Sequence, residues 1–164
     1  MTGRRKLMPN WIEGTMKLRG KREDIRRFFL EGLDPSSWLT PGDIKHQVED
    51  NSTEYSLDFT FRDQPHIVGT RRAFITDDYA YMEEEFGIVC VNVKKAWCFV
   101  SDHNDLDVWE TISKKYDVDI RLFGIEMGQC FTQEVIIIRG HKPIVNEKQY
   151  ADWMWECPFP MMGG

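Results

Sequence analysis

The chain has 164 residues, 41% of them apolar and 29% charged, with a net charge of −6. That is the size of one domain with an ordinary globular composition, which excludes a disordered chain, a collagen-like repeat and a disulfide-stapled miniprotein. No stretch approaches the roughly 18 consecutive apolar residues of a membrane span, and the basic start (Arg4, Arg5, Lys6) has no apolar run behind it, so a cytosolic protein without a secretory signal is expected.

In chain order, residues 10–20 read as a strand, because Ile12, Met16 and Leu18 alternate with Glu13, Thr15 and Lys17. Residues 21–30 read as a helix, with Ile25, Phe28 and Phe29 at i, i+3 and i+4 and Gly32 and Pro35 beyond them. Residues 34–50 carry no assignable pattern. Tyr55, Leu57, Phe59 and Phe61 alternate with Ser56, Asp58 and Thr60, predicting a half-buried strand over 54–61. A connection over 62–72 leads to a short strand or turn over 74–81, with Tyr79 and Tyr81 on one side. After Glu83, Glu84 and Glu85, the Val- and Ile-rich residues 86–97 predict a central strand. Residues 102–116 form the strongest helix pattern. Leu106, Trp109, Ile112 and Tyr116 line one face, while Asp102, Asp105 and Asp107 at the start and Lys114 and Lys115 at the end suit the helix dipole. Strands over 119–127 and 131–139 follow, joined at Gly128-Gln129. Gly140-His141 turns the chain, and the aromatic residues Tyr150, Trp153, Trp155 and Phe159 predict a C-terminal segment, 143–164, docked on the core.

This order, β-α-β and then β-α-β-β, predicts an α+β protein. The expected form is a ferredoxin-like sandwich, an antiparallel sheet with two helices on one face, with an insertion over 31–85.

Charge is unevenly distributed. Residues 1–27 hold nine Lys or Arg against three acids, whereas the remainder is strongly acidic. Two sets of residues stand out as binding candidates. Asp77, Asp78, Glu83, Glu84 and Glu85, joined by Asp102, Asp105 and Asp107, would imitate nucleic-acid phosphate and occupy a basic groove on a partner. Arg19, Lys21, Arg22, Arg26 and Arg27 would instead hold phosphate. The plainer readings are solvated faces, dipole-matched helix ends and, for Trp11, Trp97 and Trp109, core packing.

Cys90, Cys98, Cys130 and Cys157 form no Cys-x-x-Cys pair, and reduced thiols account for them. The sequence contains no phosphate-binding loop, dinucleotide fingerprint, His-Glu-x-x-His or Gly-x-Ser-x-Gly. His46, His66, His103 and His141 are scattered. A Cys130 nucleophile paired in space with His103 or His141 is the one constellation for catalysis left open. No catalytic residue, metal ligand or cofactor is therefore assigned.

Met8-Pro9-Asn10-Trp11, leading into Thr15-Met16-Lys17-Leu18-Arg19-Gly20, resembles the opening of the Api92-like proteins of phages and plasmids. Ala96-Trp97, Lys114-Lys115-Tyr116, Asp119-Ile120-Arg121-Leu122 and Phe131 to Gly140 resemble that family's C-terminal half. The likeness spans most of residues 8–142. It departs at Ile12 and Gly14, where the family commonly has Cys and Asn, and after Trp97, where the family's Ser-Pro-Pro is missing. The resemblance implies a ferredoxin-like domain beginning at residue 8, residues 1–7 as an extension, a mobile-element origin and action in the host cytoplasm. It supplies no catalytic residues.

The leading expectation is a non-enzymatic accessory protein that binds and inhibits a host defence protein, in the manner of an anti-CRISPR inhibitor, through its acidic surface. The alternative is a binder of nucleotides or single-stranded nucleic acid, including a cyclic-nucleotide sponge. A metal-dependent hydrolase stands third. No membrane partner is expected.

Overall fold

The computed structural model describes residues 10–34 and 47–161. The expected extension over 1–7 and most of the unassigned stretch 34–50 lie outside them. The chain folds as a mixed α+β protein whose sheets are antiparallel. Its elements are β1 (Trp11–Lys21), α1 (Arg22–Glu31), β2 (Leu33–Asp34), β3 (Val48–Asp50), β4 (Leu57–Phe61), β5 (His66–Ile67), β6 (Ala73–Ile75) and β7 (Tyr79–Met82). These are followed by β8 (Phe86–Ala96), α2 (His103–Tyr116), β9 (Asp119–Glu126), β10 (Phe131–Ile137), β11 (Ile144–Gln149) and α3 (Trp153–Glu156).

The main sheet runs β11-β10-β9-β1-β8-β6-β5-β2, and a second sheet runs β3-β4-β7. β1 is the spine: it pairs with β8 from Trp11↔Ala96 to Lys21↔Phe86 and with β9 from Glu13↔Ile125 to Arg19↔Asp119. Its period of two sends Ile12, Met16 and Leu18 into the core, all fully buried, and leaves Thr15, Lys17, Arg19 and Lys21 on the opposite face. That face carries neither α1 nor α2; at one end of β9 it is covered by α3, whose Trp153 packs on Ile125. The path from β8 through α2 to β9 crosses over β1, so two strands of the same direction flank it.

α1 and α2 cover the other face. α1 buries Ile25, Phe28 and Phe29, and α2 buries Trp109, Ile112 and Tyr116, in one continuous core. Phe28 meets Tyr116 edge-on at 5.4 Å, joining the two helices. Phe29 turns towards Phe59 at 5.1 Å and Phe61 at 5.4 Å, which joins the small sheet to the same core. Local chemistry sets the helix ends. The Asp102 carboxylate accepts from the Asp105 N–H at the start of α2, and Asp117 closes the helix in a left-handed conformation, φ 55°.

Several expectations are corrected here. Residues 74–81 divide into β6 and β7, which belong to different sheets. Within the expected insertion over 31–85, β2, β5 and β6 extend the main sheet. Tyr55 precedes β4 and is exposed, because the chain turns there before pairing begins. Trp97 leaves the sheet at φ 71° with its ring half exposed, so it is not core. Of the C-terminal aromatics only Tyr150 and Trp153 dock. They meet at 5.4 Å and cover Ile125 and Cys157 as a separate small cluster, while Trp155 and Phe159 face solvent.

Candidate functional site

The acidic residues do not form one surface. Glu83, Glu84 and Glu85 precede β8, whereas Asp102, Asp105 and Asp107 follow it, and the 11 residues of β8 separate them by about 35 Å of extended strand. The second group also serves the fold. Asp102 caps α2, and Asp105 accepts from the Ser101 N–H at 2.9 Å and the Ser101 hydroxyl at 2.6 Å. Asp105 lies 3.7 Å from Lys95, which is buried and donates to the Cys98 carbonyl at 3.0 Å. Asp107 stays exposed, beside a cleft of about 280 Å³ between α1 and α2.

A different cluster forms around the first group. Tyr79 and Tyr81 project from the same side of β7 and stack at 6.2 Å with their planes 12° apart. Asp58 lies opposite Tyr81 in the register of β4 and β7, on the face both rings share. The Tyr81 hydroxyl donates to Glu83, and this bond, more than partial shielding or neighbouring charge, pushes the phenol up to about 12. Tyr79 is also raised, first by shielding from water and then by the Asp58 carboxylate.

Arg22 anchors this cluster from behind. Its guanidinium, on a side chain only 12% exposed, donates to the backbone carbonyls of Tyr55 at 2.7 Å, Glu54 at 2.9 Å and Glu83 at 3.1 Å, and pairs with Glu85 at 2.6 Å. One largely shielded cation thus gathers three carbonyls and a carboxylate. Asp77 accepts from the Asn92 N–H at 3.0 Å and fixes the turn into β7. Asp78 is exposed at its tip. Tyr79 and Tyr81 on one side of a strand were legible from spacing. The parts of Asp58 and Arg22 were not, because both contacts come from distant segments.

The expected basic patch of Arg19, Lys21, Arg22, Arg26 and Arg27 is corrected. Arg19 and Lys21 belong to a strand face, but Arg22, Arg26 and Arg27 belong to a helix packed on the other side. The helical residues are occupied: Arg26 pairs with Asp50 at 2.7 Å, and Arg27 meets Asp24 at 3.5 Å and the Lys115 carbonyl at 3.0 Å. Arg19 pairs with Asp119 at 2.7 Å. Burial by itself would raise the Asp119 carboxyl. Hydrogen bonds from the Arg139 N–H, Arg19 and the Arg139 side chain outweigh it and hold the group below the ordinary carboxylate value.

Cys130 sits at φ 60°, where its thiol reaches the Met127 carbonyl at 3.5 Å and its carbonyl accepts from the Tyr150 N–H. His141 turns back on the Arg139 carbonyl at 3.1 Å, and His103 opens α2. No side-chain contact joins Cys130 to either histidine among the described residues. Nor does any group of three or more His, Cys, Asp or Glu converge there as metal ligands would. No helix among them is long and apolar enough to cross a membrane. No family model, no curated protein and no solved structure matches the chain.

Proposed function

We propose that the chain is a binding protein of mobile-element origin that occupies and inhibits a basic surface on a host defence protein, acting in the host cytoplasm without chemistry of its own. The observation that carries this reading is the exposed, stacked Tyr79–Tyr81 pair set among Asp58 and Glu83 and braced by Arg22. Tyrosines bury a large rigid surface at little entropic cost and are enriched where binding energy concentrates. Carboxylates around them complement a groove built to hold nucleic-acid phosphate, and they speed encounter with it. The acidic set of the proposal is therefore Asp58, Asp78, Glu83 and Glu84 around the two rings. Asp102, Asp105 and Asp107 lie outside it, at the far end of β8.

The resemblance to Api92-like proteins supports the mobile-element origin. In the same reading, β9-β1-β8-β6 with α1 and α2 is a ferredoxin-like core. The strand order β9-β1-β8-β6 and the crossover of α2 over β1 support that reading, in which the core is widened by β10 and β11 on one side and by β5 and β2 on the other.

The test is inhibition of purified host nucleases whose nucleic-acid groove is basic, measured with the wild-type chain and with three double variants. Tyr79→Ala/Tyr81→Ala and Asp58→Lys/Glu83→Lys should each weaken inhibition at least tenfold. Asp102→Lys/Asp107→Lys should leave it within about twofold. An inhibitory complex indifferent to the first two variants removes the proposal.

A further inference from the structure

We infer that the main-sheet face opposite α1 and α2 binds single-stranded nucleic acid along β1, at a site separate from the tyrosine cluster. The placement begins with the pleat. Thr15, Lys17, Arg19 and Lys21 occupy alternate positions of one strand, so all four point away from the core. Three of them are cations, spaced about 6.7 Å apart along the strand, which suits the repeat of phosphates in an extended single strand.

The register then adds neighbours on either side. Lys17 lies directly between Arg121 of β9 and Cys90 of β8, and Arg19 lies between Asp119 and Ile88. Like charges opposed across strands destabilise a sheet, so Lys17 facing Arg121 is a cost that a bound anion relieves. Arg121 is partly engaged by Glu134 at 2.8 Å, whereas Lys17 makes no ion pair among the described residues.

Apolar platforms bracket this row. Phe123 stands beside Thr15 at one end and Phe86 beside Lys21 at the other, 41% and 55% exposed, about 20 Å apart along β1. That span suits a short run of extended nucleotides, with a ring at each end for a base to stack on. Between them lies a hollow of about 180 Å³ bordered by Lys17, Arg19, Ile88, Arg121 and Ile136, with Asp119 on its wall beside Arg19. A cavity of roughly 150 Å³ admits benzene, so a pyrimidine base fits. Ile88, half exposed, supplies an apolar wall that an ordinary solvated sheet face does not need.

The combination selects a single strand over a duplex. The rings gain only where base faces are free, and a duplex keeps its bases stacked. The net charge of −6 also repels any polyanion that is not held locally at this face.

The experiment measures binding of a fluorescent twelve-nucleotide oligothymidylate at low salt, together with alkylation of Cys90. That thiol is exposed at the centre of the site, while Cys98 and Cys157 are buried. The oligonucleotide should slow Cys90 alkylation at least fivefold in the unaltered chain. Lys17→Glu should weaken binding at least tenfold and lower the salt dependence by about 0.7 in log–log slope, the value for one lost contact to a single strand. Phe123→Ala should weaken it about tenfold, the loss of one stacked base. Lys114→Glu makes the same change of charge on α2, on the opposite side, and should stay within twofold. Tyr79→Ala/Tyr81→Ala should have no effect, which keeps this site's failure distinct from that of the tyrosine cluster.

Absence of binding, or Cys90 alkylation unchanged by saturating oligonucleotide, overturns the inference without recourse to any variant. Equal affinity for a duplex or for inorganic polyphosphate overturns it as well, since the bases would then have no part. Equal weakening by Lys17→Glu and Lys114→Glu has the same consequence.

Discussion

Asp105 reads in the sequence as one more surface carboxylate, and its surroundings assign it a structural task that Asp105→Asn tests. Lys95 and Asp105 have side chains only 4% and 14% exposed, with nitrogen and oxygen 3.7 Å apart. At that separation the attraction is about 4 kcal/mol in a medium of effective dielectric near 20, before the cost of drying both groups is subtracted. Removing one partner of a buried pair costs about 3–5 kcal/mol, because the other charge is left behind. Here Lys95 keeps the Cys98 carbonyl and Asp105 is not wholly dry, so Asp105→Asn should cost about 2–3 kcal/mol. Urea unfolding followed by the fluorescence of buried Trp109 measures it. The double variant Lys95→Met/Asp105→Asn should recover about 1 kcal/mol of that loss, since it removes the stranded cation. The pH dependence provides a second check. Burial raises the Asp105 carboxyl, but the Ser101 hydrogen bonds and Lys95 outweigh it and leave the group below its ordinary value. A depressed carboxyl contributes stability above the unfolded pKa of about 3.9 and loses it as pH falls through the folded value, so the gap between wild type and Asp105→Asn should close below about pH 4. A single variant within about 0.5 kcal/mol of wild type at pH 7, or a double variant no more stable than the single, refutes the reasoning.

Gly14 faces Gly124 across β1 and β9, and a Cβ on Gly14 would stand 1.9 Å from the Phe123 carbonyl oxygen. Two central strands would have to part, so Gly14→Ala should cost about 3 kcal/mol or more, and a urea-measured loss under about 1 kcal/mol contradicts the geometry. Asp119→Asn removes the carboxylate charge and one of the two oxygens that accept from Arg19 and Arg139 separately. It should lower stability by about 2 kcal/mol at neutral pH and by progressively less below about pH 4, where the lowered carboxyl of the wild type is itself being protonated; unfolding at pH 7 and pH 3 compares them. Tyr81 should ionise near 12 in an ultraviolet absorbance titration, and Glu83→Gln should bring it back towards about 10; an unmoved titration would mean that Glu83 is not its partner in solution.

Short-range pattern was enough for the elements that bury one face. β1, β8, α1 and α2 follow from alternation or from i, i+3, i+4 spacing, because a half-buried strand or helix must repeat its apolar residues at its own period. β11 escaped, since Ile144 through Gln149 are exposed throughout and nothing but pairing with β10 makes them a strand. β6 and β7 read as one element, since no local signal says that the chain changes sheets between them.

By itself, then, the sequence determined that this is an α+β protein, which residues of β1 face inward and where α1 and α2 run. Those properties depend on neighbours within one or two turns. Tertiary structure alone decided which charges meet. The helix and strand periods diverge at Lys21, so five consecutive-looking cations separate onto two faces, and an 11-residue strand parts the two acidic groups. It also brought Arg22 beneath Glu54, Tyr55 and Glu83, and Arg121 beside Lys17. Charge on a side chain can be counted along a chain, but the sum that a partner meets depends on long-range pairing, which is fixed by the burial of the whole core.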